Sequence, residues 1–280
     1  MTTTIAKEQY SPAQENDRMT LEQEKGQYTI RQILGIWLAA GAPMWALGWL
    51  VYPALRAGLT PVDAGLLRIK LLIVGLVWQF VLAMLIVYRE EGNIRIATIR
   101  SRFRLNHPVS PNTGQKAKRL WWLLLLFLPL IYMVQAMIAP VLTGLWTGVL
   151  PFLAEPRGYS NAALFAPEVR SLWVGAWDLL GLMFVLSLFN TFLGEEFIFR
   201  GALLPKMKGV FGSWDWVANA VIFGFYHLHQ PWGIPGSVLS GLMYAFTARR
   251  YRTTWFSIIL QSGQSLFFLF LILGLVLGLA

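Results

Sequence analysis

Two clusters of residues in this 280-residue chain have the types and spacing that could do chemistry. The first is Glu195-Glu196-Phe197-Ile198-Phe199-Arg200. Glu196 and Arg200 are four apart, so on a helix they share a face and can pair. Glu195 is turned roughly 140° away from Arg200 on a regular helix, so the arginine can neutralise Glu196 while Glu195 faces elsewhere. A carboxylate without its own counter-ion in a dry site suits a general base. The structural alternative is an ordinary ion pair at a helix end. The second cluster is Asn219, Phe223 and His227, spaced i, i+4, i+8 on one helix face. His229 is expected to point away from His227, so the two imidazoles share a metal only if the helix breaks before Pro231. A hydrogen-bonded structural histidine is the alternative there. A third group, Gln261, Gln264 and Ser265, forms a polar stripe that could equally tie membrane helices together.

The elements that must position these groups lie in lipid. The chain is 56% hydrophobic and 13% charged, about half the charge a soluble domain carries, and no larger core explains that deficit. The net charge of +9 does not indicate nucleic-acid binding, because the basic residues sit mainly in loops between apolar runs, as the positive-inside rule expects. With no cysteine, disulfides, thiolate metal sites and a cysteine nucleophile are excluded.

Hydropathy predicts an all-α polytopic bundle of about seven spans. Residues 1–30 read as a polar, mobile tail. Residues 31–119 hold two spans, about Ile33–Tyr52 and Leu66–Tyr88, and a basic loop in which Ile96, Ile99 and Phe103 share a face. That face suits an anionic membrane surface, and a solvated loop is the alternative. Residues 120–280 form the candidate catalytic core. Its first apolar run extends to Leu150 and is expected to break at Pro140. The fourth helix is expected from about Leu172 to Arg200, the fifth over Trp214–His229, a short sixth over Ile234–Ala248, and the seventh over Trp255–Leu279. In the sixth, Ser237 and Gly241 are spaced for close packing. Seven crossings from a cytoplasmic N-terminus put the basic loops at 89–119, 200–208 and 249–252 on one side and the C-terminus outside. The expected setting is a bacterial plasma membrane.

The glutamate pair, its arginine and the later histidine resemble the CPBP family, the CAAX proteases and bacteriocin-processing (Abi) intramembrane endopeptidases. The family's EExxxR motif is matched by Glu195, Glu196 and Arg200, and its FxxxH motif by Phe223 and His227. The resemblance covers about residues 120–275. It departs in the last core helix, where the family usually has a histidine followed four residues on by asparagine or aspartate. Here the aligned positions are Gln261 and Ser265.

The resemblance implies water activated by Glu195 and His227, a supporting Glu196–Arg200 pair, and an oxyanion held by the third motif. A glutamine amide can donate to an oxyanion but cannot act as a general acid, and it is a poor zinc ligand. Gln261 is therefore the expected oxyanion donor, with Phe223, Asn219, Gln264 and Ser265 as substrate-binding candidates. Two cofactor readings stay open: a zinc ion with Glu195 and His227 as candidate ligands, or a metal-free glutamate–water mechanism. The expected partners are the bilayer and a peptide or protein substrate entering from the membrane or the cytoplasm. The rival functions are a catalytically impaired relative acting as a membrane binding or immunity protein and, with less support, a transporter using the buried ionisable groups.

Overall fold

Apolar runs of spanning length must satisfy their backbone internally, and helices do this within one segment. The computed structural model describes residues 26–279 and is helical throughout, with no strand among those residues. Seven rods run α1 (Ile30–Leu55), α2 (Pro61–Glu91), α3 (Lys118–Val149), α4 (Trp177–Lys206), α5 (Asp215–Tyr226), α6 (Ile234–Arg250) and α7 (Trp255–Val276). Five of them, α1–α4 and α7, are long and apolar enough to cross a membrane. The 12-residue α5 and 17-residue α6 fall short of the ~20 residues a crossing needs and pack closely on each other inside the bundle. Gly241 makes that approach possible: a Cβ there would lie 3.0 Å from the Phe223 ring and 3.3 Å from the Ala220 backbone. Ser237, its partner in the small-residue spacing, lines a cavity instead.

Outward faces carry exposed apolar side chains such as Leu125, Met137 and Leu145 on α3 and Phe267 and Phe270 on α7, as a lipid-facing surface requires. The polytopic all-α architecture expected from hydropathy is therefore present.

Several local expectations are corrected. Most of the 1–30 tail lies outside the described residues, but Tyr28 is docked: its amide donates to the Lys206 carbonyl at 2.9 Å, and Thr29 closes a capping box with Gln32 at the start of α1. Pro140 does not break α3. A π-turn at Val134–Ile138 precedes it and absorbs the missing N–H, so the rod continues. The fourth rod begins at Trp177, and Leu172 lies in a separate short helix, Arg170–Trp173. The helix Ile96–Arg102 exists, but its apolar face is not offered to a membrane surface. Phe103 is fully buried against Phe197, ring centroids 4.6 Å apart, and Ile99 packs on the same core, leaving Ile96 exposed. Gly201 leaves room for the Phe103 ring, which a Cβ would meet at 2.9 Å.

Candidate active site

The fourth rod is not a regular helix around Glu195 and Glu196. π-turns over Phe189–Gly194 and Phe197–Leu203 flank Glu195 and Glu196. Such turns are rare and concentrate at functional sites. Gly194 sits where α2 crosses: a Cβ there would lie 3.1 Å from the Leu76 carbonyl oxygen. Glu195 is thereby held in the bundle interior, 3% exposed, beside a fully buried Glu196.

The two carboxylates take different partners, as their spacing predicts. Glu196 Oε1 is 3.0 Å from Arg200 Nη1, with both side chains fully buried. The contact is ionic rather than a well-aligned hydrogen bond. The Arg200 guanidinium lies over the Phe223 ring at 4.0 Å and near Tyr244 at 5.3 Å, so aromatic faces supply part of the stabilisation water would otherwise give. Phe223 thus cradles the arginine as well as lining the cavity. Glu195 faces α5 and α7 instead. Its Oε1 lies 3.7 Å from His227 Nε2, and its Oε2 accepts a 2.6 Å hydrogen bond from Gln261 Nε2.

The imidazole has a defined tautomer. Nδ1 is 2.9 Å from the Phe223 carbonyl oxygen, which can only accept, so Nδ1 carries the proton. The Nε2 lone pair is left facing Glu195, at a separation too long for a direct hydrogen bond.

Glu195 and His227 both line two adjoining cavities, about 310 and 270 Å³. The first is polar, walled by Gln135 of α3 and Ser240 and Tyr244 of α6. The second is largely apolar, walled by Met44, Leu72, Leu76, Met183 and Phe268. Gln264 and Ser265 line both, as their stripe with Gln261 predicts. Gln261 itself reaches the site, but its amide hydrogens are spent on Glu195 and, at 3.4 Å, on the Asn190 carbonyl. It is therefore placed to orient the carboxylate, with its amide hydrogens directed at Glu195 and Asn190 rather than into the cavity.

Asn219 is not brought to the cavity. It is fully buried and donates from Nδ2 to the Phe199 carbonyl at 2.8 Å, pinning α5 to the second π-turn of α4. Its shared face with His227 is lost because α5 ends at Tyr226 and His227–His229 form a 3-10 turn. Asn219→Ala is expected to destabilise the protein by about 1–3 kcal/mol through the lost buried hydrogen bond. Rate per folded molecule should be unchanged; unfolding titrations alongside activity normalised to folded protein would check both.

The same helix break overturns the expected divergence of the histidines. The His227 and His229 rings stack with centroids 5.6 Å apart, and both line the apolar cavity. Even so, no group of three His, Asp or Glu residues among the described residues could hold a metal ion. A catalytic zinc takes about three protein ligands, and at this site Gln261 directs N–H groups, not an electron pair, at Glu195. The donor set does not fit zinc.

Sequence reasoning missed Asn190, Gln135 and Gln230, all of which line the polar cavity. Gln135 is a polar residue in an otherwise apolar span, the available signal for it. Asn190 precedes Glu195 by five residues, which a regular helix places on different faces and a π-turn brings into line. No helical-wheel argument could have found it.

The family model Rce1-like, type II CAAX prenyl endopeptidase Rce1-like, matches residues 176–280, the segment that contains Glu195, Glu196, Arg200, Phe223, His227 and Gln261. No curated protein and no solved structure matches the chain. Over residues 176–280, which hold α4–α7, the chain is thus similar to the Rce1-like type II CAAX prenyl endopeptidases, a group within the CPBP family.

Proposed function

We propose that the protein is an intramembrane endopeptidase that hydrolyses a peptide bond with a water activated by Glu195. The observation that carries this reading is the facing of Glu195 Oε1 and the His227 Nε2 lone pair across 3.7 Å at the junction of two cavities. A water hydrogen-bonded to both groups can lose a proton to Glu195 as it attacks the scissile carbonyl carbon. His227, with its tautomer set by the Phe223 carbonyl, orients that water as an acceptor. Gln261 holds the carboxylate in place, and the Glu196–Arg200 pair fixes the helix turn that carries it. Donors for the developing oxyanion come from side chains still free at the cavity wall, Ser265 at the second position of the third motif and Gln264 beside it. The mechanism runs without a metal, since the donor set does not fit zinc.

The substrate is a peptide or protein segment with an apolar group. A polar cavity on one side of the catalytic pair suits the peptide backbone, and the apolar cavity on the other suits that group; the "prenyl endopeptidase" description of the matched family points the same way. On this reading the protein is integral to a bacterial plasma membrane, with its N-terminus and basic loops on the cytoplasmic side.

His227→Ala is expected to lower the cleavage rate by about 10²–10⁴-fold, with the fold retained. Gln261→His tests the impaired-relative alternative. A gain of about tenfold or more would show that Gln261 limits turnover, since a glutamine lacks the acid–base function of a histidine, which is worth about 10²–10⁴-fold. Both are read in reconstituted vesicles by mass spectrometry of the cleaved peptide. Cleavage unchanged in His227→Ala rules out the assignment. Metal analysis of the purified protein is the companion measurement, and one zinc per chain lost in Glu195→Gln overturns the metal-free mechanism.

A further inference from the structure

A cavity of about 1270 Å³ lies away from the catalytic pair, where the ends of α4 and α6 meet the starts of α3, α5 and α7. It collects the three basic loops that hydropathy assigned to one side. Arg100, Arg104, Lys116, Lys208, Arg250 and Arg252 line it, with Arg249 alongside. The carboxylate in that lining is Asp215, already paired with Arg249 at 2.5 Å. The cavity therefore carries a large excess of positive charge.

The backbone that carries two of these arginines is fixed by the fold. Arg104 and Arg252 have φ of 52° and 48°, the left-handed region that non-glycine residues rarely adopt, and no other non-glycine residue described here does so. Cross-loop hydrogen bonds hold both in place. The Thr254 amide donates to the Arg104 carbonyl at 3.2 Å, Asn106 Nδ2 donates to the Arg252 carbonyl at 3.2 Å, and Thr253 Oγ1 donates to the Asn106 carbonyl at 2.7 Å. Burial and the neighbouring positive charges of Arg252 and Arg102 push the Arg104 guanidinium below its ordinary range, so the protein supplies repulsion there. Backbone strain and like-charge crowding at one spot are tolerable where an anion relieves them.

The rest of the lining identifies the anion's setting. Trp121 lies in the first turn of α3, Trp255 opens α7, and Ile259 follows one turn later, so the cavity meets the bilayer boundary, where tryptophans gather. We propose that this cavity binds the phosphate-bearing headgroup of an anionic membrane lipid, with Arg104 and Arg252 as its core ligands and Trp121 and Trp255 flanking the acyl chains. Basic pockets between the ends of membrane helices recognise such headgroups through combined charge and hydrogen bonding. A soluble phosphate compound offers the same chemistry without the acyl chains, and the experiment separates the two.

The full-length protein in phosphatidylcholine micelles is titrated with phosphatidylglycerol, and retained lipid is counted by native mass spectrometry. Phosphatidylglycerol is expected to be retained over phosphatidylcholine. Arg104→Asn with Arg252→Asn, which keeps a residue that tolerates the left-handed backbone, should weaken retention about 25-fold, roughly fivefold per arginine. Arg100→Gln with Lys208→Gln, both on exposed residues, should weaken it similarly and guards against misfolding of the first pair. Arg31→Gln with Arg89→Gln, outside the cavity, should leave it unchanged. Equal retention of the two lipids, or cavity variants that bind as the parent does, overturns the proposal. Inorganic pyrophosphate binding that phosphatidylglycerol fails to displace overturns the lipid assignment in favour of a soluble anion.

Discussion

Glu195→Gln is expected to lower the rate of peptide-bond cleavage by about 10⁴-fold, the upper end of what one positioned general base contributes. The amide keeps the shape of the carboxylate and can still meet Gln261, so the 2.6 Å contact need not collapse the site. What it lacks is a basic oxygen to take the proton from water. No second carboxylate can substitute, because Glu196 is fully buried and held by Arg200 on another face of the turn. The variant should also retain its substrate, so peptides that co-purify with it can be sequenced and then offered to the parent protein. Initial rates in reconstituted vesicles give the measurement. A rate within a few-fold of the parent's would remove Glu195 from the mechanism, whatever the fate of His227.

Arg200→Met should have the largest effect on stability. It leaves the Glu196 carboxylate fully buried without its counter-ion, which costs about 3–5 kcal/mol. The loss of the cation from the Phe223 face, now 4.0 Å away, adds to this. Removing both charges together, as Glu196→Leu with Arg200→Met, should recover much of the deficit, because it is the lone buried charge rather than the absent pair that is expensive. Arg200→Lys should fall between, since a point ammonium keeps the charge but loses the planar stacking. Unfolding of the detergent-solubilised variants checks the order. A single variant as stable as the parent, or a double variant worse than the single, would show that the ion pair is not what holds the second π-turn in place. Activity of Arg200→Met should fall with its folded fraction, unlike Glu195→Gln, which should stay folded and inactive.

The ion pair and the second carboxylate were separable from spacing alone. Glu196 and Arg200 are four apart and Glu195 is not in step with them, and the structure keeps that division even though the turn is π rather than α. The all-α polytopic architecture was equally legible, because lipid leaves helices as the local way to satisfy a backbone and the apolar runs mark their positions. The gathering of the basic loops at one end of the bundle also follows from their charge, and a cavity of about 1270 Å³ collects them.

Local periodicity could not supply what depends on departures from a regular helix. The π-turn before Glu195 brings Asn190 into line with it, and the 3-10 turn after Tyr226 stacks His229 on His227 and separates His227 from Asn219. Both breaks are set by packing against other elements, α2 crossing at Gly194 and α1 pressing its Gly48 against His229, so no window of the chain encodes them by itself. The same holds for Phe103, whose face suggested a membrane surface until Gly201 offered it a buried seat. Residue identity and spacing determined which groups could do chemistry and that lipid would surround them. Contacts between segments distant in the chain decided which of those groups meet, since they set where each helix bends and therefore which way its side chains point.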